Sequence, residues 1–399
     1  MITNIPKHWK IKKLGEICKV NQGLQIAIEE RFTEPIENGY FYITNEFLKA
    51  NSKTKYYIKN PSKSVLCSKE DILMTRTGNT GIVVSDVEGV FHNNFFKIDY
   101  DKKLLHKDYF VYYLKNDRMQ YDILVKAGNS TIPDLNHSDF YTLQIAISSL
   151  EEQEKIAEIL LTFDKAIRLT TQIISQLKQR NQGLAQQLLT GEKRVKGFEN
   201  SVWKEVRLGE IGFFFKGKGV SKNKIIDKGF KCLTYGDLYT KYDFIIKDVK
   251  SFIDKETALI SQEIRYGDIC FAGSGETLED IGKCATFIDD EIGYAGGDII
   301  VFRTKQNPIT MSYLLNSDIV KKQKTNMGQG HSVVHIYLSQ LEKLEVSLPS
   351  IAEQNAIAQI LDTVHQELKL YEQKLQLLQA QKKTLMQKLL TGEILTIKK

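Results

Sequence analysis

The sequence lacks the features that would place the chain in a membrane, in a disulfide-bonded scaffold or around a zinc ion. It contains no run of about 18 apolar residues, which a membrane-spanning helix requires. Its start, MITNIPKHWKIKKLGEI, has no apolar core of the kind found in signal peptides. The five cysteines are scattered and form no CxxC pair. This pattern argues against a zinc site or a disulfide framework, and it predicts a protein of the reducing cytoplasm.

Catalytic motifs are also missing, although three stretches resemble them. GFFFKGKG (212–219) is close to a P-loop, but Gly219 stands where that motif needs Ser or Thr for magnesium, so a glycine turn at a strand end is expected. FAGSG (271–275) is similar to a methyltransferase cofactor loop, yet the catalytic tetrapeptide D/N-P-P-Y/F does not occur. His331 and His335 lack an acidic or cysteine partner nearby. We therefore predict a non-catalytic chain that binds no metal and no cofactor.

The positive charge is unevenly distributed along the chain. The net charge is only +6, and residues 151–193 and 352–393 contain equal numbers of acidic and basic side chains. The positive excess therefore lies entirely in the remaining segments. A polyanionic partner is expected to bind there.

The chain is a tandem duplication. Trp9 and Trp203 begin two similar nonapeptides 194 positions apart, whereas the later repeats are 201 positions apart. The second copy has therefore gained about seven residues before its helical segment. The repeated stretches are WKIKKLGEI (9–17) and WKEVRLGEI (203–211), EEQEKIAEIL (151–160) and AEQNAIAQIL (352–361), and LLTGE at 188–192 and 389–393.

Each copy combines a mixed domain with a long helix. In the first copy, GIVVSD and NNFFKIDY are strand-like runs, and a helix is predicted around residues 105–114. Apolar residues then recur with 4-3-4-3 spacing for more than four heptads, which predicts a coiled-coil seam in both copies. Polar residues interrupt both seams at the same place, Asn181 and Lys382. The predicted seam residues are Ile156, Leu160, Phe163, Ile167, Thr170, Ile174, Leu177, Asn181, Leu184 and Leu188, and then Ile357, Leu361, Val364, Leu368, Tyr371, Leu375, Leu378, Lys382, Leu385 and Leu389.

The packing partner of each helix follows from connectivity. Each seam could cover its own domain, but a helix of about 38 residues is about 57 Å long, which exceeds the width of a small domain. The first helix delivers the chain to the second domain through residues 193–202, so a second helix packed along it must run back. We therefore predict an α+β fold with two mixed, β-rich domains separated by a pair of long antiparallel coiled-coil helices. This tandem repeat would have pseudo-two-fold symmetry, with the C-terminus returning near the N-terminus.

Polar loops in the mixed domains suit DNA, although each could be an ordinary solvated loop. TRTGNTG (75–81) offers Arg for guanine and Asn for adenine in the major groove. AGNSTIPDLN (127–136) is a second polar loop, and residues 272–283 and 327–337 correspond to these two loops in the second copy. KGKGVSKNK (216–224) adds lysines for phosphate contact. Framework residues repeat while loop side chains diverge, as expected of one scaffold that recognises two sequences. The candidate DNA-binding residues are Arg76, Thr77, Asn79, Thr80, Asn129, Ser130, Thr131, Lys216, Lys218, Lys222, Ser274, Glu276, Thr277, Gln329, His331 and Ser332.

Together these stretches resemble the specificity subunits of type I restriction–modification systems. The resemblance rests on the openings W…LGEI, the mid-domain D-I-L…R-x-G, the stretches LEEQEKIAEIL and IAEQNAIAQIL before the helices, and LLTGE at their ends. It covers essentially the whole chain. One departure is Gly273, which stands opposite Arg76 in the second copy and puts a shared role for that position in doubt.

The resemblance implies target-recognition domains at 1–149 and 193–350 and helical spacers at 150–192 and 351–399. In this family each recognition domain contacts one half of a bipartite, asymmetric target in double-stranded DNA, and the helices set the gap between the halves. Two methyltransferase subunits dock on the helices, and two restriction (motor-nuclease) subunits can join. S-adenosylmethionine, ATP and Mg²⁺ are expected in those partner subunits, not in this chain.

Two other interpretations remain open at this stage. The chain could be the recognition subunit of a related defence system, or of a type II-like methyltransferase–nuclease. It could also be a coiled-coil scaffold without DNA, whose end domains bind peptides. Salt-dependent binding to a split duplex target would exclude the scaffold, and the identity of co-purifying proteins would separate the other two.

Overall fold

The fold is known from a computed structural model of the chain. The structure describes residues 5–49, 52, 54–128, 131–330 and 333–396. Among these residues, no helix is both long enough and apolar enough to cross a membrane.

The chain divides into two compact units. Unit 1 comprises Met1–Thr171 and Lys374–Lys399, and unit 2 comprises Gln172–Gln373. Each unit contains one mixed domain, called domain 1 and domain 2 below, together with parts of both long helices. The fold class is the predicted one: an α+β tandem repeat of two β-rich domains with two long helices.

Domain 1 is built around two four-stranded sheets. Its strands are β1 (Lys10–Lys13), β2 (Cys18–Gln22), β3 (Gly39–Ile43), β4 (Tyr56–Lys59), β5 (Leu66–Cys67), β6 (Ile72–Thr75), β7 (Val83–Val84), β8 (Gly89–Phe91), β9 (Phe95–Tyr100) and β10 (Gln144–Ile147). Its helices are α1 (Leu14–Ile17), α2 (Lys107–Lys115), α3 (Asp117–Ala127) and α4 (His137–Thr142), and the long helix α5 (Leu150–Leu189) follows. One sheet has the order β2-β9-β6-β7 and the other β4-β3-β8-β5. The helix predicted around residues 105–114 is α2.

Domain 2 repeats this plan with additional short strands. Its strands are β11 (Lys204–Arg207), β12 (Gly212–Lys216), β13 (Phe230–Leu233), β14 (Ile245–Ile246), β15 (Phe252–Ile253), β16 (Gln262–Ile264), β17 (Ile269–Ala272), β18 (Ser274–Gly275), β19 (Cys284–Phe287), β20 (Gly293–Ala295), β21 (Ile299–Thr304), β22 (Val334–His335) and β23 (Glu345–Leu348). Its helices are α6 (Leu208–Ile211), α7 (Tyr235–Thr240), α8 (Lys255–Ile260), α9 (Pro308–Leu315), α10 (Asp318–Met327) and α11 (Leu338–Leu341), and the long helix α12 (Ile351–Leu390) follows. The main sheets have the orders β12-β21-β17-β19-β14 and β15-β13-β20-β16.

The opening strand of each domain pairs with the strand that precedes its long helix. β1 pairs antiparallel with β10, and β11 pairs antiparallel with β23. β6 and β17, which lie inside the main sheets, are buried along their whole length. Their sequences, ILMT and ICFA, are correspondingly apolar except for Thr75. Each domain is therefore tied to the start of its own helix by a hydrogen-bonded strand pair.

The two long helices run antiparallel within each unit. In unit 1, Lys382 of α12 donates to the Asp164 carboxylate of α5 over 2.6 Å, while Leu389 lies in the same buried cluster as Ile156 and Leu160. Residue numbers therefore increase along α12 in the direction in which they decrease along α5, so the two helices are antiparallel. In unit 2, contacts between Arg180 and Glu367 and between Lys178 and Glu372 follow the same direction. All the predicted seam residues are buried or partly buried.

Both polar seam residues have partners on the facing helix. The Asn181 amide donates to the Val364 carbonyl over 2.9 Å in unit 2. In unit 1, Asp164 accepts from Lys382 and also from the Tyr112 hydroxyl, at 2.5 Å. Burial raises the pKa of Tyr112, which keeps this hydroxyl a donor. These paired polar groups specify register in an otherwise apolar seam.

The C-terminal segment returns to the N-terminal segment within unit 1, as predicted. Gly392, in the second LLTGE stretch, lies directly beside Pro6 and Trp9. In unit 2, Gly191 of the first LLTGE stretch lies beside Trp203, the counterpart of Trp9. The repeated pentapeptide therefore marks the same helix end in both units.

Candidate nucleic-acid interface

In domain 2, the lysine-rich segment and the first polar loop leave the sheet at the same end. β12 and β17 flank β21 on its two sides, with Lys216 opposite Ile300 and Ala272 opposite Ile299. Both flanking strands run antiparallel to β21, so the chain leaves both of them where β21 begins. The loops after β12 and β17 therefore emerge side by side.

Domain 1 has the same arrangement around β9. Gln22, the last residue of β2, pairs with Phe96, and Thr75, the last residue of β6, pairs with Phe95. The backbone N–H of Arg76 donates to Asn94 over 2.7 Å, and that of Gly273 donates to Asp298 over 2.8 Å. We call this part of each domain the loop end of the sheet.

A glycine at the loop end explains the stretch that resembles a P-loop. A side chain on Gly217 would place its Cβ only 2.0 Å from the Gly296 carbonyl oxygen, and one on Gly23 only 2.1 Å from that of Phe91. The two glycines are 194 positions apart, the offset of the opening repeats. Glycine is required because the backbones approach closely after the strand, which agrees with the expected glycine turn.

The first and second polar loops of each domain are joined by backbone pairing. In domain 1 the N–H of Leu135 donates to the Arg76 carbonyl over 2.9 Å, and in domain 2 that of Ile336 donates to the Gly273 carbonyl over 3.0 Å. The structure thus brings together loops that are separated by more than fifty residues in sequence. The second loop is therefore held beside the first, which leaves the sheet at the loop end.

The candidate residues fall into three groups by exposure. Arg76 and Thr77 are partly buried, whereas Thr80 and Ser274 are buried and hydrogen-bonded. The Thr80 hydroxyl donates to the carbonyls of Pro133 and Arg76 over 2.6 and 3.0 Å, so it shapes the loop. The exposed candidates are Asn79, Thr131, Lys216, Lys218, Lys222, Glu276, Thr277 and Gln329. Four further candidates, Asn129, Ser130, His331 and Ser332, lie outside the described residues.

Arg76 is held by its own domain. Its Nη2 lies 2.8 Å from the Asp134 carboxylate, and its guanidinium lies 5.6 Å from the Phe96 ring centre. The side chain is 18% exposed, and its buried Nε has no hydrogen-bond partner among the described residues. The arginine is therefore oriented before any ligand arrives, with only part of the guanidinium accessible.

The end of β12 and the segment after it concentrate exposed positive charge. Lys216, Lys218 and Lys222 are exposed, as are Lys224 and Lys228. Within the part of the chain that the structure describes, none of these lysines forms an ion pair, although 21 ion pairs occur elsewhere. Unpaired ammonium groups on one segment suit contacts to phosphate oxygens.

The corresponding place in domain 1 contains amides that are not among the candidate residues predicted from the sequence. The Gln22 amide donates to the Asn93 carbonyl over 3.2 Å, and the Asn93 amide donates to the Gln25 side chain over 3.0 Å. The available signal was the alignment of KVNQG with the lysine-rich stretch, together with the two asparagines that open NNFFKIDY. Side-chain amides form paired hydrogen bonds with adenine, so these residues extend the candidate interface.

The cysteines are packed inside the domains, and metal-ligating side chains are not clustered in the described part of the chain. All five cysteines are buried, and burial raises the pKa of Cys67 to about 11 and that of Cys18 to about 12. Among the described residues, no three His, Cys, Asp or Glu side chains are grouped closely enough to hold a metal ion.

Known proteins with the same arrangement belong to one family. The family model described as "Type I restriction modification DNA specificity domain" matches residues 6–179 and again residues 200–380. The chain is 25% identical over 410 residues to the MjaVIII type I restriction enzyme specificity subunit of Methanocaldococcus jannaschii, covering 98% of this chain and 94% of that protein. It is 24% identical to the putative MjaX type I specificity subunit of the same organism, over 98% of this chain and 95% of that protein.

Solved structures show the same fold. The S subunit of a type I restriction–modification system from M. genitalium has a TM-score of 0.62 at 19% identity, over 97% of this chain and 96% of that one. A chain from a study of complex assembly and conformational transition in the type I system has a TM-score of 0.59 at 16% identity, over 98% and 100%. With two copies of the specificity domain in tandem, the chain belongs to the type I restriction–modification DNA specificity family.

Proposed function

We propose that this chain selects the DNA target of a type I restriction–modification complex. Each domain would contact one half of a split, asymmetric sequence in double-stranded DNA, using the two polar loops and the segment after β2 or β12. The helices would set the gap between the two halves. Membership of the family supports the general role, and the loop ends of the two domains support the division of labour.

The main support for the proposal is that the two domains share the same backbone arrangement at the loop end but present different side chains there. Both loop ends have the same strand pairing and the same loop-to-loop hydrogen bonds. Yet β2 ends in the amide Gln22 and is followed by Gln25, whereas β12 ends in Lys216 and is followed by Lys218 and Lys222. A protein that recognises two different half-sites needs this combination of a constant frame and variable side chains.

The exposed candidates divide into two kinds of DNA contact. Asn79 and Gln329 suit adenine, and Glu276 suits the amino group of cytosine, because these side chains match the base edges in the major groove. Lys216 and Lys218 suit phosphates, which position the protein without distinguishing sequence. Specificity would therefore come from the loops, and background affinity from the lysines.

We further propose that two methyltransferase subunits dock on the helices. Each unit exposes a large apolar side chain on its part of α12: Leu370 in unit 2 is 65% exposed, and Leu377 in unit 1 is 58% exposed. Exposed apolar side chains on a helix suit contact with an apolar partner surface. S-adenosylmethionine would be bound by those subunits, and ATP and Mg²⁺ by restriction subunits where these are present.

The test is methylation mapping in cells that express the chain with its methyltransferase. We expect adenine methylation at a sequence of two short specific parts with a constant gap between them. Cells that express the methyltransferase alone are the control and should lack this pattern. A continuous motif, or methylation that does not depend on this chain, would refute the proposal. The proteins that co-purify would show whether the complex is of type I or of a related defence system.

A further inference from the structure

We propose that Asp134 in domain 1 and His335 in domain 2 are positioning residues for DNA recognition. Each fastens the second polar loop of its domain to the first, and so sets the separation at which the two loops meet the DNA. The inference rests on the proposed function for its consequence, but the fastening itself is independent of DNA.

In domain 1 the fastening is a side-chain cluster between the two loops. The Thr77 hydroxyl donates to one oxygen of the Asp134 carboxylate, and Arg76 donates to the other over 2.8 Å. Thr77 and Asp134 also form an isolated antiparallel bridge. The two residues are 57 positions apart, so the contact joins two separate loops and not neighbours in one turn.

In domain 2 the fastening has a different chemistry at the same place. The Ser274 side-chain oxygen lies 3.0 Å from Nδ1 of His335, and these residues are paired in the short strands β18 and β22. Ser274 is 6% exposed and His335 is partly buried, so the serine hydroxyl has little access to water. Breaking the contact is costly because the buried hydroxyl is left unsatisfied.

The two contacts occupy equivalent positions in the repeat. Thr77 and Ser274 are 197 positions apart, like Ile72 and Ile269, the first residues of β6 and β17. Asp134 and His335 are 201 positions apart, the offset of the two long helices. The copies thus retain a hydroxyl on the first loop and a polar partner on the second, while that partner changes from carboxylate to imidazole. Among loops whose side chains otherwise differ, a retained contact indicates that the link is what the fold requires.

Asp134 makes a second contact that His335 lacks. It forms an ion pair with Arg76, whereas the residue equivalent to Arg76 in domain 2 is Gly273. Replacing Asp134 with Asn keeps an oxygen for Thr77 but removes the charge that holds the arginine. Replacing it with Ala removes both. In domain 2, Asn in place of His335 keeps a hydrogen-bonding group near the position of Nδ1, so it should restore what Ala removes.

The first measurement is hydrogen–deuterium exchange on the full chain without DNA. Asp134→Ala should raise exchange in residues 75–81 and 131–136 together, and His335→Ala should do the same for residues 272–277 and 333–337. Asp122→Ala, which removes an exposed carboxylate from α3 in domain 1, is the matched control and should leave both loops unchanged. Exchange that stays at the wild-type level in both loops of the altered domain would overturn the proposal.

The second measurement is binding by the complex with its methyltransferase to duplexes carrying the mapped target or a change in one half of it. Asp134→Ala should lower the discrimination of one half-site by about tenfold, the value of one good base contact, and His335→Ala that of the other. His335→Asn should restore discrimination. If a substitution leaves the discrimination of both half-sites unchanged, or lowers both equally, the positioning role is contradicted. If the wild-type complex binds no split target, the proposed function fails, and the exchange result alone decides on the fastening.

Discussion

At the scale of single residues, the repeat places two buried glutamates in equivalent positions but gives them different partners. Glu353 receives Nε and Nη2 of Arg194, each at 3.0 Å, and also the Ser201 hydroxyl. Among the described residues, the Glu152 carboxylate is contacted by His8 at 3.3 Å and by the Trp9 indole at 3.1 Å, and by no arginine. The paired arginine contact is therefore seen at Glu353 and not at Glu152. It ties the segment after α5 to the start of α12.

Removing Arg194 should destabilise unit 2 strongly. Arg194→Met leaves the Glu353 carboxylate, 1% exposed, without its counter-ion, and breaking a buried pair in this way costs about 3–5 kcal/mol. Arg207→Met is the matched control, because the ion pair of Arg207 with Glu345 is more than half exposed on both sides and should contribute less than about 1 kcal/mol. Chemical denaturation of each variant would show the difference, and equal shifts of the midpoint would contradict this account.

A buried lysine should make the stability of domain 2 depend on pH. Lys324 is 2% exposed, and its ammonium group donates to the Gly282 carbonyl over 2.7 Å. Burial lowers the pKa of Lys324 below its usual range. The unfolded chain therefore holds this proton more tightly than the folded one, so the free energy of unfolding should rise as pH increases toward the ordinary lysine pKa.

Thermal unfolding at neutral and alkaline pH would reveal this effect. Lys324→Met should flatten the pH dependence, because the group that titrates differently in the two states is gone. Lys322→Met, on the exposed face of the same helix, should keep the wild-type slope. If the unfolding temperature varies with pH in the same way for wild type and Lys324→Met, folding does not lower the pKa of Lys324.

At the scale of secondary-structure elements, the long helices were predictable and the shortest strands were not. The seam of α5 and α12 follows from a 3.5-residue period that each helix shows by itself. β18 and β22 have two residues each, and they exist because Ser274 and His335 are brought opposite each other by the rest of domain 2. No local pattern in FAGSG or HSVVHIY indicates that pairing.

Shortening both helices should change the gap in the recognised sequence. Deleting one heptad from α5 and the matching heptad from α12 preserves the seam and shortens each helix by about 10 Å. At 3.4 Å per base pair, the gap should shrink by about three base pairs while both half-sites stay the same. Methylation mapping would measure it. Deletion from one helix alone is the control and should abolish methylation, because the seams then fall out of register. An unaltered gap after the double deletion would refute the proposal that the helices set the gap.

At the scale of the whole molecule, the excess of positive charge lies outside the two long helical segments. The helical segments are neutral, and a group of unpaired exposed lysines follows β12 in domain 2. The same place in domain 1 presents amides, including Gln22 and Gln25. Domain 2 should therefore contribute more of the salt-dependent affinity, and domain 1 should rely more on direct base contacts.

The salt dependence of DNA binding would test this division. Replacing Lys216 and Lys218 with Ala removes two candidate phosphate contacts, so the slope of log affinity against log salt should fall in magnitude by about 2. The control replaces Lys204 and Lys343, two exposed lysines elsewhere in unit 2, and should leave the slope unchanged. Loss of half-site discrimination without a change of slope would mean that Lys216 and Lys218 contact bases instead.

The sequence by itself determined the duplication, the two helices, their seam and the loops that change between copies. These features depend on repeat offsets and on a period that each segment expresses locally. Only the tertiary structure decided that Thr80 and Ser274 are buried, that Arg76 is held by Asp134, and that the amides of domain 1 lie where domain 2 has lysines. Such contacts arise where the register of distant strands places the loops together, and that register is a property of the folded sheet.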